Sequence, residues 1–251
     1  MTGPNPGDTI VVWFSCGAAS AVAAKRTIDR YPECTVRIVN SPVAEEDADN
    51  RRFLADVEAW LGVPIEIATN PKVPNNSAVS VWANRRYMAG IGGAPCTLAL
   101  KKEPRYAWEL ANHADWIVLG FTLDEKARHD RFVMTERSDL LPVLIDAGIS
   151  KAECFRVIER AGIALPRVYL DGYPNANCIG CVKSTSATYW NHVRKRHPEV
   201  FADRAAQSRD IGARLVRYRG KRVFLDELPT NAKGRPMDTT DLDCGLFCEE
   251  R

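Results

Sequence analysis

The stretch that decides the fold is VVWFSCGAASAVAAK, residues 11–25. Its first half is an apolar, β-branched run that predicts a buried strand, and its Ala-rich second half predicts a helix. A strand that turns at once into a helix offers backbone N–H groups and a positive dipole end to an anion. We therefore predict an anion-binding loop made of Ser15, Cys16, Gly17, Ala18 and Ser20. A tight connection without a ligand remains the alternative, because the loop matches neither common glycine-rich phosphate motif.

The composition is that of an ordinary α/β protein. The chain has 251 residues, a formal net charge of +2 and 45% hydrophobic residues, so it can bury a sizeable core. The charge gives no argument for a bulk polyanion partner. The first ten residues lack the basic and apolar regions of a signal peptide, and no apolar run is long enough for a membrane span. We expect a cytoplasmic protein that does not contact membranes.

Strand-like and helix-like segments alternate through the first half of the chain. The predicted strands are residues 9–15, 35–40, 64–69 and 116–122, and predicted helices follow at 20–31 and 45–62. This alternation predicts a doubly wound, Rossmann-like parallel sheet with helices on both faces. In such sheets ligands lie at the carboxyl ends of strands, where the 15–20 loop and Gly120 fall.

The second half of the chain has a different pattern. Ser150 and Glu153 form a capping-box pair at the start of a predicted helix. A long helical region follows at 187–211, then a hairpin at 217–228 and an irregular tail with two cysteines. We predict an α/β nucleotide-binding domain over residues 1–211 and a C-terminal hairpin and tail over 212–251.

The eight cysteines require an explanation other than disulfides in a chain with no export signal. Cys34 and Cys154 are predicted to be buried packing residues. The other six stand beside glycine, proline or other turn residues, which suits chemistry better: Cys16, Cys96, Cys178, Cys181, Cys244 and Cys248. Cys178 and Cys181 have the two-residue spacing that places two thiolates on one metal.

The motifs together resemble one family. Ser15, Gly17 and Ser20 match the Ser-Gly-Gly-x-Asp-Ser nucleotide loop of the adenine nucleotide α-hydrolase-like superfamily, also called PP-loop or HUP-type proteins. Ala19 stands at the Asp position, a loss that fits the phosphoadenylylsulfate (PAPS) and adenylylsulfate (APS) reductase branch better than the ATP-cleaving branch. CTLALKKEP, residues 96–104, resembles the reductases' cysteine–lysine–proline element, with Thr97 in place of the second cysteine.

The resemblance implies roles for particular residues. Lys101 would lie near the bound anion, and Gly120 and Arg128 would belong to a second ligand-binding loop; a solvated charged loop is the alternative. DCGLF, residues 243–247, is similar to the reductases' nucleophile motif, so Cys244 would attack sulfur, although Phe247 replaces the motif's histidine. Cys96, Cys178 and Cys181 would hold a 4Fe–4S cluster next to the site, with Cys248 as a candidate further ligand. Zinc on these cysteines and a metal-free redox pair remain open.

Three functions follow. The leading one is a PAPS/APS-type reductase in which Cys244 attacks an adenylylsulfate-like ligand and a thioredoxin-like thiol releases sulfite. The second is an iron–sulfur-dependent, ATP-using sulfurtransferase acting on tRNA, another nucleic acid or a nucleotide; the basic stretch after Cys181 favours it and Ala19 counts against it. The third is a non-catalytic, metal-stabilised module that binds an adenine nucleotide.

Overall fold

The computed structural model describes residues 3–237, and its strands and helices alternate in the first half as predicted. The strands are β1 (Thr9–Phe14), β2 (Thr35–Asn40), β3 (Ile65–Ile67), β4 (Trp116–Val118), β5 (Val216–Tyr218) and β6 (Lys221–Val223). The helices are α1 (Ala18–Arg30), α2 (Asn50–Leu61), α3 (Ala78–Arg85), α4 (Pro95–Thr97), α5 (Glu103–Ala111), α6 (Lys126–Thr135), α7 (Val143–Asp146), α8 (Lys151–Arg160), α9 (Arg167–Leu170), α10 (Ala187–Arg196) and α11 (Pro198–Ile211). A π-helical turn spans Leu98–Lys102, and 3₁₀ turns span Leu123–Glu125 and Leu225–Glu227.

The chain divides into two compact units, each with its own packed interior. Unit 1 consists of residues up to 41, 48–68 and 105–167, and unit 2 of residues 42–47, 69–104 and those from 168 onward. Unit 1 holds the parallel sheet with the 15–20 loop, and unit 2 holds Cys96, Cys178 and Cys181. The predicted boundary at residue 211 stays a prediction.

Unit 1 is built on a four-stranded parallel sheet in the order β3-β2-β1-β4. β1 is central, and residues 10–14 are buried because helices cover both faces. Trp13 meets Trp108 of α5 edge to face at 5.7 Å, while the next residue, Phe14, packs against Phe53 of α2 at 6.2 Å. Successive strand residues face opposite sides of a sheet, so these two contacts place helices on opposite faces. The predicted α/β fold with a doubly wound parallel sheet is confirmed.

Helix α2 begins later than predicted. The sequence indicated a helix from residue 45, but α2 starts at Asn50. The Glu45 carboxylate instead accepts hydrogen bonds from the Ser77 hydroxyl at 2.6 Å and the Ala78 N–H at 2.8 Å, at the N-terminus of α3. A carboxylate is stabilising at that end of a helix, so a long-range cap replaces the first turns of the predicted helix.

Unit 2 has a helical core and a small hairpin. The predicted helical region over 187–211 consists of two helices. Helix α10 ends at Arg196 and α11 begins at Pro198, because proline lacks the N–H to continue α10 and suits a first helical position. The predicted hairpin is present as the antiparallel pair β5–β6, shorter than the sequence suggested. No helix among residues 3–237 is long and apolar enough to cross a membrane.

Candidate functional site

The loop between β1 and α1 has an unusual backbone. β1 ends at Phe14, α1 begins at Ala18, and Cys16 between them has a φ of 55°. This left-handed conformation costs a non-glycine residue about 1–2 kcal/mol. The loop therefore holds a strained residue at the carboxyl end of the central strand, where parallel sheets bind ligands.

The Ser20 hydroxyl orders this loop from inside. It donates to the Gly17 carbonyl at 3.0 Å, accepts from the Ser15 N–H at 3.1 Å, and lies 3.2 Å from the Ser15 hydroxyl. A hydroxyl has one proton to donate, and here the Gly17 carbonyl receives it. The structure thus has Ser20 shaping the loop, and the prediction that its hydroxyl contacts an anion directly remains open.

Gly120 makes a close backbone approach to the same loop. It follows β4, and a Cβ at this position would lie 2.8 Å from the Ser20 nitrogen and 3.1 Å from the Ala19 carbonyl carbon. Backbone atoms cannot move aside as a flexible side chain can, so only glycine fits. The sequence placed both segments at the carboxyl edge of the sheet, and unit 1 brings them into contact.

Asn40 is a residue of this edge that the sequence analysis missed. It is the last residue of β2, only 1% exposed, and its side-chain N–H donates to the Phe14 carbonyl at 2.7 Å and approaches the Cys16 sulfur at 3.6 Å. Its side-chain oxygen is buried and has no hydrogen-bond partner among the described residues. Asn40 therefore steadies the loop and leaves one buried acceptor for a ligand or water. A polar residue ending a buried strand was the available signal.

Arg128 is held by neighbours within its own segment. Its guanidinium donates to Glu125 at 2.8 Å and lies over the Phe121 ring at 5.1 Å. Glu125 also caps the 3₁₀ turn that starts after Thr122. The predicted anion-binding role of Arg128 would require its guanidinium to leave Glu125 or to share it with the ligand, and that role stays a prediction.

Unit 2 gathers three of the six predicted chemical cysteines. Cys96, next to Pro95 in α4, and Cys181 belong to its apolar core, and Cys178 packs against that core. Within residues 3–237, however, no group of three or more His, Cys, Asp or Glu side chains is arranged to hold a metal ion. The donor types suit an iron–sulfur cluster or zinc, while the predicted ligand geometry stays a prediction.

The turn between Cys178 and Cys181 is fixed by packing. Gly180 has a φ of 71°, and a Cβ there would lie 2.9 Å from a Val200 methyl group. The Cys181 N–H donates to the Tyr189 hydroxyl at 2.8 Å. Burial raises the pKa of Tyr189 well above its ordinary value, so this hydroxyl stays neutral.

Arg204 is a second residue that the sequence did not single out. Its side chain is 5% exposed, its guanidinium lies over Trp82 at 4.8 Å, and it has no carboxylate within ion-pair distance among the described residues. Burial lowers the pKa of Arg204, while the negative groups Glu45 and Cys178 act in the opposite direction. A buried cation near Cys178 favours the thiolate, the form that binds metal. Arg204 lies within a polar helix pattern, so nothing in the sequence distinguished it.

Lys101 forms a buried ion pair. Its ammonium lies 2.8 Å from the Glu46 carboxylate, and both side chains are about nine-tenths buried. Such a pair fixes the π-helical turn that follows Cys96. The predicted contact between Lys101 and an anion is not tested by this geometry.

The two packing predictions have different outcomes. Cys154 is completely buried, as predicted, and burial raises the pKa of its thiol to about 12, which disfavours the reactive thiolate. Cys34 is only half-buried, and its thiol donates to the Asn5 carbonyl at 3.3 Å, so the prediction of burial is wrong there. The predicted nucleophile Cys244 and the candidate ligand Cys248 lie outside the described residues.

Comparisons with known proteins add little to this picture. No protein-family model matches the sequence, and no curated protein is significantly similar to it. Among solved structures, the U34-tRNA thiolase NcsA from Methanococcus maripaludis with its [4Fe-4S] cluster is similar at 10% identity and a TM-score of 0.43, over 82% of this chain and 72% of the thiolase. A likeness this distant decides no question of function.

Proposed function

We propose that this chain binds an adenine nucleotide at the 15–20 loop and acts as an iron–sulfur-dependent sulfurtransferase on a nucleic acid or nucleotide. The observation that carries the proposal is the carboxyl edge of the unit 1 sheet. There a strained Cys16, an internally bonded Ser20 and the close approach of Gly120 form a built loop at the start of α1. The resemblance of this loop to PP-loop proteins supports adenine nucleotide as the ligand.

The loop binds phosphate mainly through its backbone. Gly17, the N-cap residue of α1, has no side chain with which to cap the helix, and no acidic residue lies in the first turn of α1. The positive end of the helix dipole is therefore not neutralised by the helix itself. Ser20 and Asn40 would hold the loop in shape while a phosphate group accepts from the backbone N–H groups.

The cysteines of unit 2 supply the sulfur chemistry. Cys96, Cys178 and Cys181 are the donor set that would hold a 4Fe–4S cluster, and Arg204 would offset the negative charge of their thiolates. Bound by these three cysteines, such a cluster would supply an iron atom able to carry inorganic sulfide. The basic residues that follow Cys181 in the sequence favour a nucleic-acid acceptor.

The proposed reaction has two steps. An oxygen of the acceptor base attacks the α-phosphorus of ATP, and pyrophosphate leaves. A sulfide then attacks the activated carbon of the base, and AMP leaves with the former base oxygen. The loop binds the phosphates in both steps and holds the leaving AMP, where its N–H groups stabilise the developing negative charge.

A second candidate is the PAPS/APS-type reductase, which Ala19 favours because this residue offers no carboxylate for a magnesium–pyrophosphate group. In that reaction the Cys244 thiolate attacks sulfur, and the sulfur–oxygen bond to the nucleotide breaks. A thioredoxin-like dithiol then attacks the resulting Cys–S–SO₃⁻ group, releases sulfite and is itself oxidised to a disulfide. Zinc in place of the cluster would instead favour the non-catalytic nucleotide-binding module.

One experiment separates the candidates. Anaerobically reconstituted chain is incubated with ATP, sulfide and bulk tRNA, and separately with PAPS or APS and a dithiol. ATP-dependent appearance of thiolated nucleosides by mass spectrometry supports the sulfurtransferase. Sulfite release from PAPS or APS without ATP contradicts it and supports the reductase. Nucleotide binding by calorimetry with neither product contradicts both and leaves the binding module.

A further inference from the structure

The β5–β6 hairpin of unit 2 concentrates positive charge on a short ribbon. Arg217 stands directly opposite Arg222, and Tyr218 opposite Lys221, in the antiparallel register. Arg219 and Gly220, with φ values of 48° and 77°, make the two-residue turn, which is the type that two left-handed residues form. Four basic residues therefore lie within six consecutive positions of one hairpin.

These charges are not neutralised by the surrounding described residues. Between positions 212 and 237 the chain has seven Lys or Arg residues and two acidic residues, Asp226 and Glu227. Both carboxylates accept from Arg209, at 2.9 and 2.8 Å. The hairpin cations form no ion pair within the described part of the chain, and all are exposed: Arg214, Arg217, Arg219, Lys221 and Arg222.

The pair Arg217–Arg222 works against the hairpin's own stability. Like charges directly opposite each other on neighbouring strands destabilise a hairpin. Partial burial and the nearby Arg217 both lower the pKa of Arg222, as expected for a cation beside a second cation. Arg222 donates to the Leu215 carbonyl at 2.7 Å, but the two facing guanidinium groups form no ion pair with the described residues, so an external anion is the simplest reason for their juxtaposition.

The backbone beneath these charges is firmly held. The Arg217 N–H donates to the Thr185 carbonyl at 2.9 Å, and Ser186 forms a parallel bridge with Arg217. On the same Ser186, the hydroxyl donates to the Arg235 carbonyl at 2.6 Å, and a Cβ on Gly234 would lie 2.8 Å from the Ala187 nitrogen. The segment with Lys233 and Arg235 thus runs along the strand-like residues that anchor the hairpin.

We propose that this surface binds the phosphate backbone of a structured nucleic acid. The surface, here called the basic hairpin surface, consists of Arg214, Arg217, Arg219, Lys221, Arg222, Lys233 and Arg235. Five of these seven are arginines, whose planar guanidinium groups match phosphate oxygens in pairs. A two-stranded ribbon fits the major groove of B-form DNA, and its exposed cations can also contact the phosphates of an RNA helix. The half-buried Tyr218, with Arg219 over its ring at 5.2 Å, adds an aromatic ring on which an unpaired base could stack. An acidic polypeptide would use the charges but neither the ribbon nor the aromatic ring.

The inference rests on the proposed function in one respect only: under that function, the bound nucleic acid would be the sulfur acceptor. Binding itself is measured without nucleotide, metal or turnover. If the chain proves not to be a sulfurtransferase, the measured nucleic-acid binding still stands. If the hairpin proves not to bind nucleic acid, nucleotide binding at the 15–20 loop still stands.

The test is fluorescence anisotropy with a labelled RNA hairpin and a DNA hairpin of the same sequence, titrated with the full chain at several salt concentrations. The variant Arg217→Gln/Arg222→Gln is expected to bind at least about tenfold more weakly, with a log–log salt slope smaller by about two. The control Arg51→Gln/Arg160→Gln removes the same charge from exposed positions of unit 1 and is expected to bind like the wild type. Tighter binding of the RNA than of the DNA would identify RNA as the partner, and the reverse would identify DNA.

A second variant separates binding from folding. Arg217→Glu places a carboxylate opposite Arg222, so the hairpin gains a cross-strand ion pair and the melting temperature is expected to stay level or rise. The same variant is expected to lose nearly all RNA and DNA binding. Three results would overturn the proposal. They are wild-type affinity in either hairpin variant, an equal loss of affinity in the control variant, and displacement of the nucleic acid by polyglutamate at equal charge concentration.

Discussion

Two sharp turns, one in each unit, both contain a residue in the left-handed backbone conformation, but the type of residue differs. The 15–20 loop places a cysteine, Cys16, in the left-handed conformation, whereas the turn of residues 178–181 places a glycine, Gly180, there. At Gly180 a side chain would collide with Val200, so packing requires glycine. At Cys16 a side chain is present, buried and strained, so the thiol must contribute something that a glycine would not.

The turns also differ in the charge that they meet. The 15–20 loop has no charged side chain of its own and opens onto the N-terminus of α1, which suits an anionic ligand. The 178–181 turn has the buried Arg204 near Cys178, which suits a thiolate. The 15–20 loop is therefore suited to binding the negative charge of a ligand, and the 178–181 turn to stabilising the negative charge of a cysteine thiolate.

The largest effect is expected at Gly180. Gly180→Ala combines left-handed strain of about 1–2 kcal/mol with overpacking of about 1–3 kcal/mol against Val200, so we expect the free energy of unfolding to fall by about 3 kcal/mol. Urea denaturation measures this change. Gly212→Ala is the matched control, because its φ is 83° but a Cβ there has open space, so it should lose only the left-handed strain of about 1–2 kcal/mol. Equal losses in the two variants would show that packing does not fix the turn.

Gly120→Ala tests the other turn. A Cβ 2.8 Å from the Ser20 nitrogen must displace the 15–20 loop, so we expect a loss of about 2 kcal/mol in stability and at least about tenfold in affinity for an adenine nucleotide. Calorimetry with ATP and AMP measures the affinity. Gly92→Ala, where a Cβ meets nothing within 4 Å, should change neither quantity. Wild-type affinity in Gly120→Ala would separate the loop from nucleotide binding.

The features that the sequence predicted correctly are those determined by residues close together in the chain. The apolar run of β1, the small-residue turn and the Ala-rich α1 are local features, and all three are present. The capping box is also present, with the Ser150 N–H donating to Glu153 at 2.8 Å. The sequence did not predict the roles of Asn40, Arg204 and Glu45, because each of these residues acts on residues more than twenty positions away. The break at Pro198 was readable, since proline seldom continues a helix.

The smallest effect concerns the thiolate in unit 2. Arg204→Met keeps the volume of the side chain but removes the buried cation, so the pKa of the Cys178 thiol should rise and its thiolate fraction near neutral pH should fall. We expect alkylation of Cys178 in metal-free chain to slow by about tenfold, measured by peptide mass spectrometry. Arg209→Met removes an exposed cation bound to Asp226 and is expected to leave the rate unchanged. Equal alkylation rates in Arg204→Met and wild type would show that Arg204 does not stabilise the Cys178 thiolate.

The most direct test of the central claim is the metal and sulfide content of anaerobically purified chain, with an absorption spectrum. The account predicts about four irons and four acid-labile sulfides per chain, and their loss in Cys178→Ser but not in Cys154→Ser. One zinc and no sulfide would contradict it. That result would make Cys96, Cys178 and Cys181 structural and leave the nucleotide-binding module as the function.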